Sequence, residues 1–265
     1  MVLSRVFHEI PFPLVYTPIK CNNPIVTCRL ENRVTVKIGT DTDKNIVHLE
    51  YDTRFNEYRL YLEEILKKFF NIVSENITQE KYVVEVSIEE NTYGLGLYVV
   101  VTDWFLRSIG VSDNDLQIVS TIIDSEIFGD PVVLSMLKAL RKSILLSKNI
   151  IYREGEEPVE LVVDYGFSVE EHLKIKTSTI VEDLLNEQAF RTAIIHLGGY
   201  TAIALARCLL SRSRSECKSL VTESLHVLNS LQYMLKGVTP PVNGVLVDDV
   251  PGYLTMLVPR IDDIE

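Results

Sequence analysis

Lys81-Tyr82-Val83-Val84-Glu85-Val86-Ser87-Ile88 runs through Glu89-Glu90-Asn91-Thr92-Tyr93 into Gly94-Leu95-Gly96-Leu97-Tyr98-Val99-Val100-Val101. The hydrophobic period changes inside this stretch. Val84, Val86 and Ile88 alternate with Glu85 and Ser87, as in a strand with one buried face. Leu97–Ile109 is almost uniformly apolar, which marks a helix buried on every side. A strand, a turn with two glycines and a buried helix can hold an anion. The helix start presents unpaired N–H groups and a partial positive charge, and glycine lets a ligand approach the backbone. The same two glycines also serve as ordinary turn residues.

Upstream, residues 7–50 read as strands. Pro11, Pro13, Pro18 and Pro24 divide the first part into short extended pieces. Ile25–Arg29, Arg33–Ile38 and Asn45–Tyr51 follow, separated by turns at Glu31-Asn32 and Gly39–Asp43. Leu60, Leu62, Ile65, Leu66, Phe69 and Phe70 then recur at helical spacing opposite Glu63, Glu64, Lys67 and Lys68.

Downstream, Ser112-Asp113-Asn114-Asp115 has N-cap chemistry for a helix carrying Leu116, Val119, Ile122 and Ile123. Another helix spans Pro131–Leu146. Ile150–Arg153, Val159–Asp164 and His172–Lys176 read as strands and Thr179–Leu185 as a short helix. Gln188–Leu210 and Glu216–Leu235 are long helices. A closing strand pair, Gly244–Val247 and Tyr253–Val258, flanks Asp248-Asp249-Val250-Pro251-Gly252. The acids there read as a charged turn. The polar turn Gly155-Glu156-Glu157-Pro158 divides the chain into lobes 1–155 and 156–265.

Composition narrows the function. The chain has 265 residues, 37 acidic against 26 basic, and a net charge of −11. A protein this acidic lacks the cations that displace counterions from nucleic-acid phosphates. No apolar run is long enough to span a bilayer. The first residues carry Glu9 where a signal peptide would be apolar, so a cytoplasmic protein is expected. Cys21, Cys28, Cys208 and Cys217 lack zinc-site spacing and read as reduced thiols. A Cys21–Cys28 or Cys208–Cys217 bridge stays open for a hyperthermophilic source. His172, His196 and His226 lie among apolar residues and read as core or interface histidines.

The order of elements resembles the GHMP kinases, whose central motif is Pro-x-Gly-x-Gly-Leu-Gly-Ser-Ser-Ala after a strand. Gly94-Leu95-Gly96 matches it; Leu97 and Tyr98 stand where the serines would be. Pro24–Val36 is similar to the family's early strand pair. Asp124–Asp130 is similar to its Glu-containing helix followed by Gly-Asp, and Gly244–Pro259 to its third motif with a single glycine left. Within the group, the archaeal pantoate kinase branch is most alike, through Gly129-Asp130, Arg153–Pro158 and Lys176–Ile180.

The resemblance implies an α+β, two-lobed GHMP-kinase-like fold, with an N-terminal lobe like ribosomal protein S5 domain 2 and a ferredoxin-like α/β C-terminal lobe. It implies ATP and Mg²⁺, with Gly94, Leu95, Gly96 and Leu97 on the triphosphate, Glu126 on the metal and Asp130 beside the acceptor hydroxyl. Thr177, Ser178 and Thr179 would line the cleft of a small-molecule substrate such as pantoate. Leu97 cannot coordinate a metal, and phosphoryl transfer depends on positioning and charge neutralisation. The alternative is therefore a catalytically degenerate descendant that acts in regulation or assembly, as a homo-oligomer or with a partner subunit.

Overall fold

The structure is a computed structural model and describes residues 2–16, 24–41, 43–161, 166–175, 187–210, 214–239 and 244–259. A larger sheet opens with β1 (Val2–Val15), β2 (Ile25–Asp41) and β3 (Ile46–Glu50). Helix α1 (Asn56–Val73) leads to β4 (Lys81–Ile88), and α2 (Gly94–Ser108) follows. Next come α3 (Asp113–Ile127), α4 (Pro131–Leu146), β5 (Asn149–Tyr152) and β6 (Val159–Leu161). The strand order is β3-β4-β2-β5-β6, with β1 on the other side of β2. A second sheet, in order β7-β9-β8, joins β7 (Phe167–Lys174), β8 (Val245–Asp248) and β9 (Tyr253–Pro259). The long helices α5 (Gln188–Leu210) and α6 (Arg214–Lys236) pack together beside it.

The first two strands are longer than their sequence suggests. Pro11 and Pro13 lie within one 14-residue strand, opposite Arg29 and Thr27 of β2. Among the described residues β1 pairs with β2 alone, so prolines lacking an N–H fit on its other side. No turn forms at Glu31-Asn32 either, because β2 runs unbroken for 17 residues. Asn32 is buried, and its Nδ2 donates to the carbonyls of Glu90 (3.0 Å) and Asn91 (3.3 Å). The residue that would have turned the chain ties β2 to the loop before α2.

The expected lobe division at 155/156 falls in the turn between β5 and β6. Those two strands pair with each other in the larger sheet, and the second sheet starts at Phe167.

Helix α2 lies at the centre of the core. Leu95, Leu97, Val99, Val101, Phe105 and Leu106 are fully buried, and Phe69, Phe70 and Tyr82 meet Phe105 ring to ring. Beneath it sits a buried ionic knot. Arg141 of α4 is paired with Asp103 of α2 and Asp124 of α3, and donates from Nη2 to both Asp124 oxygens at 2.9 and 3.0 Å. The Tyr98 hydroxyl donates to Asp124 Oδ1 at 2.8 Å. Among the described residues, no helix is long and apolar enough to cross a membrane.

Candidate functional site: the N-terminus of helix α2

Residues 89–93 carry the chain from β4 into α2. Tyr51 holds this loop by accepting from the Thr92 N–H at 3.1 Å. The residue before the helix, Tyr93, gives it no side-chain cap. A helix start without a cap leaves N–H donors unpaired inside the protein.

Asp249 supplies that cap from the turn between β8 and β9. Its Oδ2 accepts from the Gly94 N–H at 3.1 Å, and its Oδ1 from the Leu95 N–H at 2.9 Å. The Thr255 hydroxyl donates to Oδ2 at 2.5 Å, and the Tyr58 hydroxyl also donates there. Asp249 is 1% exposed. Burial raises its pKa above the ordinary carboxylate value, while these four donors hold it down.

Both glycines are required by packing around this carboxylate. A Cβ on Gly94 would strike the Tyr58 hydroxyl and Leu62, and one on Gly96 would collide with the Pro11 carbonyl and Ile10. The two positions let α2 close against α1 and β1, and no Cβ fits at either.

A chain of polar groups leads away from Asp249. His172 on β7 places Nδ1 2.9 Å from Thr255 Oγ1 and Nε2 2.7 Å from the Tyr51 hydroxyl. Thr255 gives its proton to Asp249, so Nδ1–H of His172 donates to Thr255, and Nε2 accepts from Tyr51. The imidazole stacks on Tyr58 at 3.7 Å, and burial lowers its pKa from 6.5 to about 3. It is therefore a neutral core histidine with both ring nitrogens partnered.

Asp248 makes a second tie beside the first. Its Oδ2 accepts from the Tyr16 hydroxyl (2.5 Å) and from Gln232 Nε2 (3.2 Å), and its Oδ1 from Lys236 Nζ (2.5 Å). Tyr93 donates to the Asp248 carbonyl at 2.6 Å. The pair read from sequence as a charged turn is buried, at 7% and 1% exposure. It joins β1, α1 and α2 of the larger sheet's layer to α6 and β9. Sequence reasoning missed its role because the partners stand up to 232 positions away. The available signal was two acids closing the wholly apolar run Val245-Leu246-Val247, where a strand end would otherwise meet solvent.

The other expected site residues are dispersed. Leu97 is fully buried in the core, and Tyr98 faces Asp124. Glu126 is exposed on α3, and the buried carboxylate of that helix is Asp124. Among the described residues, no three His, Cys, Asp or Glu side chains come together to hold a metal ion. Asp130 caps α4 by accepting from the Val132 N–H at 2.8 Å. It also borders a small cavity of about 60 Å³ with Lys236, Asp248, Asp249 and Gly252. Thr177, Ser178 and Thr179 lie outside the described residues. The N–H groups of Gly94 and Leu95, expected on a triphosphate, are bonded to Asp249.

Solved structures share this fold. The mevalonate kinase of Methanococcus jannaschii superposes with a TM-score of 0.62 at 10% identity, covering 99% of this chain and 91% of that one. A mevalonate diphosphate decarboxylase from Trypanosoma brucei gives 0.57 at 10% identity, covering 99% and 81%. A mevalonate diphosphate decarboxylase from Staphylococcus aureus gives 0.57 at 12%, covering 100% and 92%. These neighbours are GHMP-superfamily proteins, and the chain has their two-lobed α+β fold. No protein-family model and no curated protein sequence matches it.

Proposed function

We propose that this chain is a catalytically degenerate GHMP-fold protein that acts in regulation or assembly and not in phosphoryl transfer. The observation that carries this reading is the Asp249 carboxylate bonded to the Gly94 and Leu95 N–H groups, where the resemblance would put a phosphate. The side chain takes the two donors that would bind a triphosphate and occupies the space at the helix start. Leu97, in place of a metal-binding serine, supports the same reading.

The alternative is an active ATP-dependent kinase acting on a small hydroxy acid, pantoate in the archaeal branch. In its favour, Asp130 and Lys236 border one small cavity with Asp249. That reading keeps Gly94, Leu95, Gly96 and Leu97 on the nucleotide, Glu126 on Mg²⁺, Asp130 at the acceptor and Thr177–Thr179 on the substrate. It requires Asp249 to leave the helix.

Calorimetric titration with ATP and Mg²⁺, together with an ADP-release assay on pantoate, mevalonate and homoserine, separates the two. The expected result is no binding heat and no turnover in the folded wild-type protein. Asp249→Ala, which frees the two N–H groups, should bind inorganic phosphate at least about tenfold more tightly than wild type. Wild-type turnover with any of the three acceptors would overturn the proposal, whether or not the variant folds.

A further inference from the structure

On the far half of α2, away from Asp249, lies an open groove of about 580 Å³ that no part of the reading above uses. This is within the roughly 300–1,000 Å³ typical of small-molecule sites. Its walls come from β1, the second half of α2 and the last turn of α4. Phe7 and Trp104 meet edge to face, centroids 6.1 Å apart at 78°, and form a rigid aromatic corner. Ile144 and Leu145 extend the apolar surface, and Leu145 is 45% exposed.

Three arginines and three carboxylates line the groove, Arg5, Arg29 and Arg107 against Glu9, Asp103 and Asp113. Arg29 is paired with Glu9 and Arg107 with Asp113, while Asp103 on the floor shares the buried Arg141 with Asp124. Arg5 has no carboxylate partner among the described residues; its guanidinium sits 5.4 Å over the Phe7 ring. The last turn of α4 also borders the groove, and its Ser143 carbonyl accepts from Arg29 Nη2 at 3.1 Å. The groove thus offers aromatic surface beside a guanidinium, that of Arg5 on β1, which makes no ion pair among the described residues.

We propose that this groove is a binding site for a small aromatic monoanion, with its ring on Phe7 and Trp104 and its anionic group on Arg5. The flat ring gains edge and face contacts with both aromatic side chains, and the anion completes a charge-assisted contact that Arg5 otherwise lacks. A cationic ligand of the same shape meets Arg5 as a like charge.

Trp104 is the only tryptophan in the chain, so its emission reports on this groove alone. The full chain is titrated with phenylacetate and, separately, benzylamine, following Trp104 fluorescence and binding heat. Phenylacetate should produce a saturable change below about 10 mM, and benzylamine should bind at least about tenfold more weakly. Arg5→Ala should weaken phenylacetate by about tenfold, the loss of one charge-assisted contact, with Arg5→Lys in between. Arg5 is exposed, so its variants should keep the wild-type melting temperature, which separates lost binding from lost folding. The proposal is overturned if neither fluorescence nor heat saturates, if benzylamine binds as well, or if Arg5→Ala binds phenylacetate as tightly as wild type.

Discussion

Acid should weaken this protein through His172. The imidazole has Tyr51 on one nitrogen, Thr255 on the other and Tyr58 stacked on its face, and its pKa falls from 6.5 to about 3 on folding. A second ring proton would turn Nε2 into a donor and send the Tyr51 proton to its other acceptor, the Thr92 carbonyl at 3.3 Å, so the cost of protonation is the burial of the charge. The unfolded chain therefore binds a proton at a pH where the folded one does not. Stability from this group is complete above about pH 6.5 and is lost as pH falls towards 3.

At about 1.4 kcal/mol for each pH unit, the whole effect is about 5 kcal/mol, of which about half should be gone by pH 4.5. Asp249, 4.0 Å from Nδ1, would attract the charge and reduce the figure. Its own raised pKa works with the opposite sign: that contribution is lost as pH rises through the folded value. Comparing wild type with His172→Gln separates the two, because Asp249 is common to both. Urea unfolding, read by Trp104 fluorescence at pH 7.5 and 4.5, gives four free energies. The wild type should lose about 2 to 3 kcal/mol more than the variant between the two pH values. A difference below about 1 kcal/mol would refute the assignment of a buried, neutral His172.

Three further outcomes are expected. Gly96→Ala should destabilise by about 1 to 3 kcal/mol in urea, because its methyl meets the Pro11 carbonyl; an unchanged midpoint would mean that α2 can move away from β1. Arg141→Met strands the buried Asp103 and Asp124 carboxylates and should cost about 3 to 5 kcal/mol in the same assay, partly recovered by adding Asp124→Asn. The Cys28 thiol, free, 1% exposed and pushed up to about 12, should react with a thiol reagent only as fast as the protein opens; immediate labelling under native conditions would contradict its burial.

Local pattern revealed much of the fold. The alternation of Val84, Val86 and Ile88 and the apolar run from Leu97 place β4 and α2 correctly, since burial of a face is written in the period of a segment. Segments whose partners decide their form were harder. Pro11 and Pro13 look like breaks unless the pairing of β1 is known, and Asn32 looks like a turn unless the carbonyls of Glu90 and Asn91 are seen beside it. The candidate site was half legible. Gly94-Leu95-Gly96 marks the helix start by its residue types, whereas the anion that fills it comes from Asp249, 155 positions from Gly94. An acid pair before Pro-Gly has the same local signature whether it faces water or caps a distant helix. Asp124 and Arg141 hid for the same reason, as each looks like ordinary surface charge within its own helix, while Asp103 interrupts an apolar helix without showing its partner.

The distance between α2 and its cap also bears on how the molecule is made. Gly94 and Leu95 leave the ribosome long before Asp249, so the nascent larger sheet must wait with its central helix open at one end. Nor can Tyr16, Tyr58 and Tyr93 find their acceptors until the β8–β9 hairpin has been synthesised. The β8–β9 hairpin thus acts as a latch made well after the helix it closes.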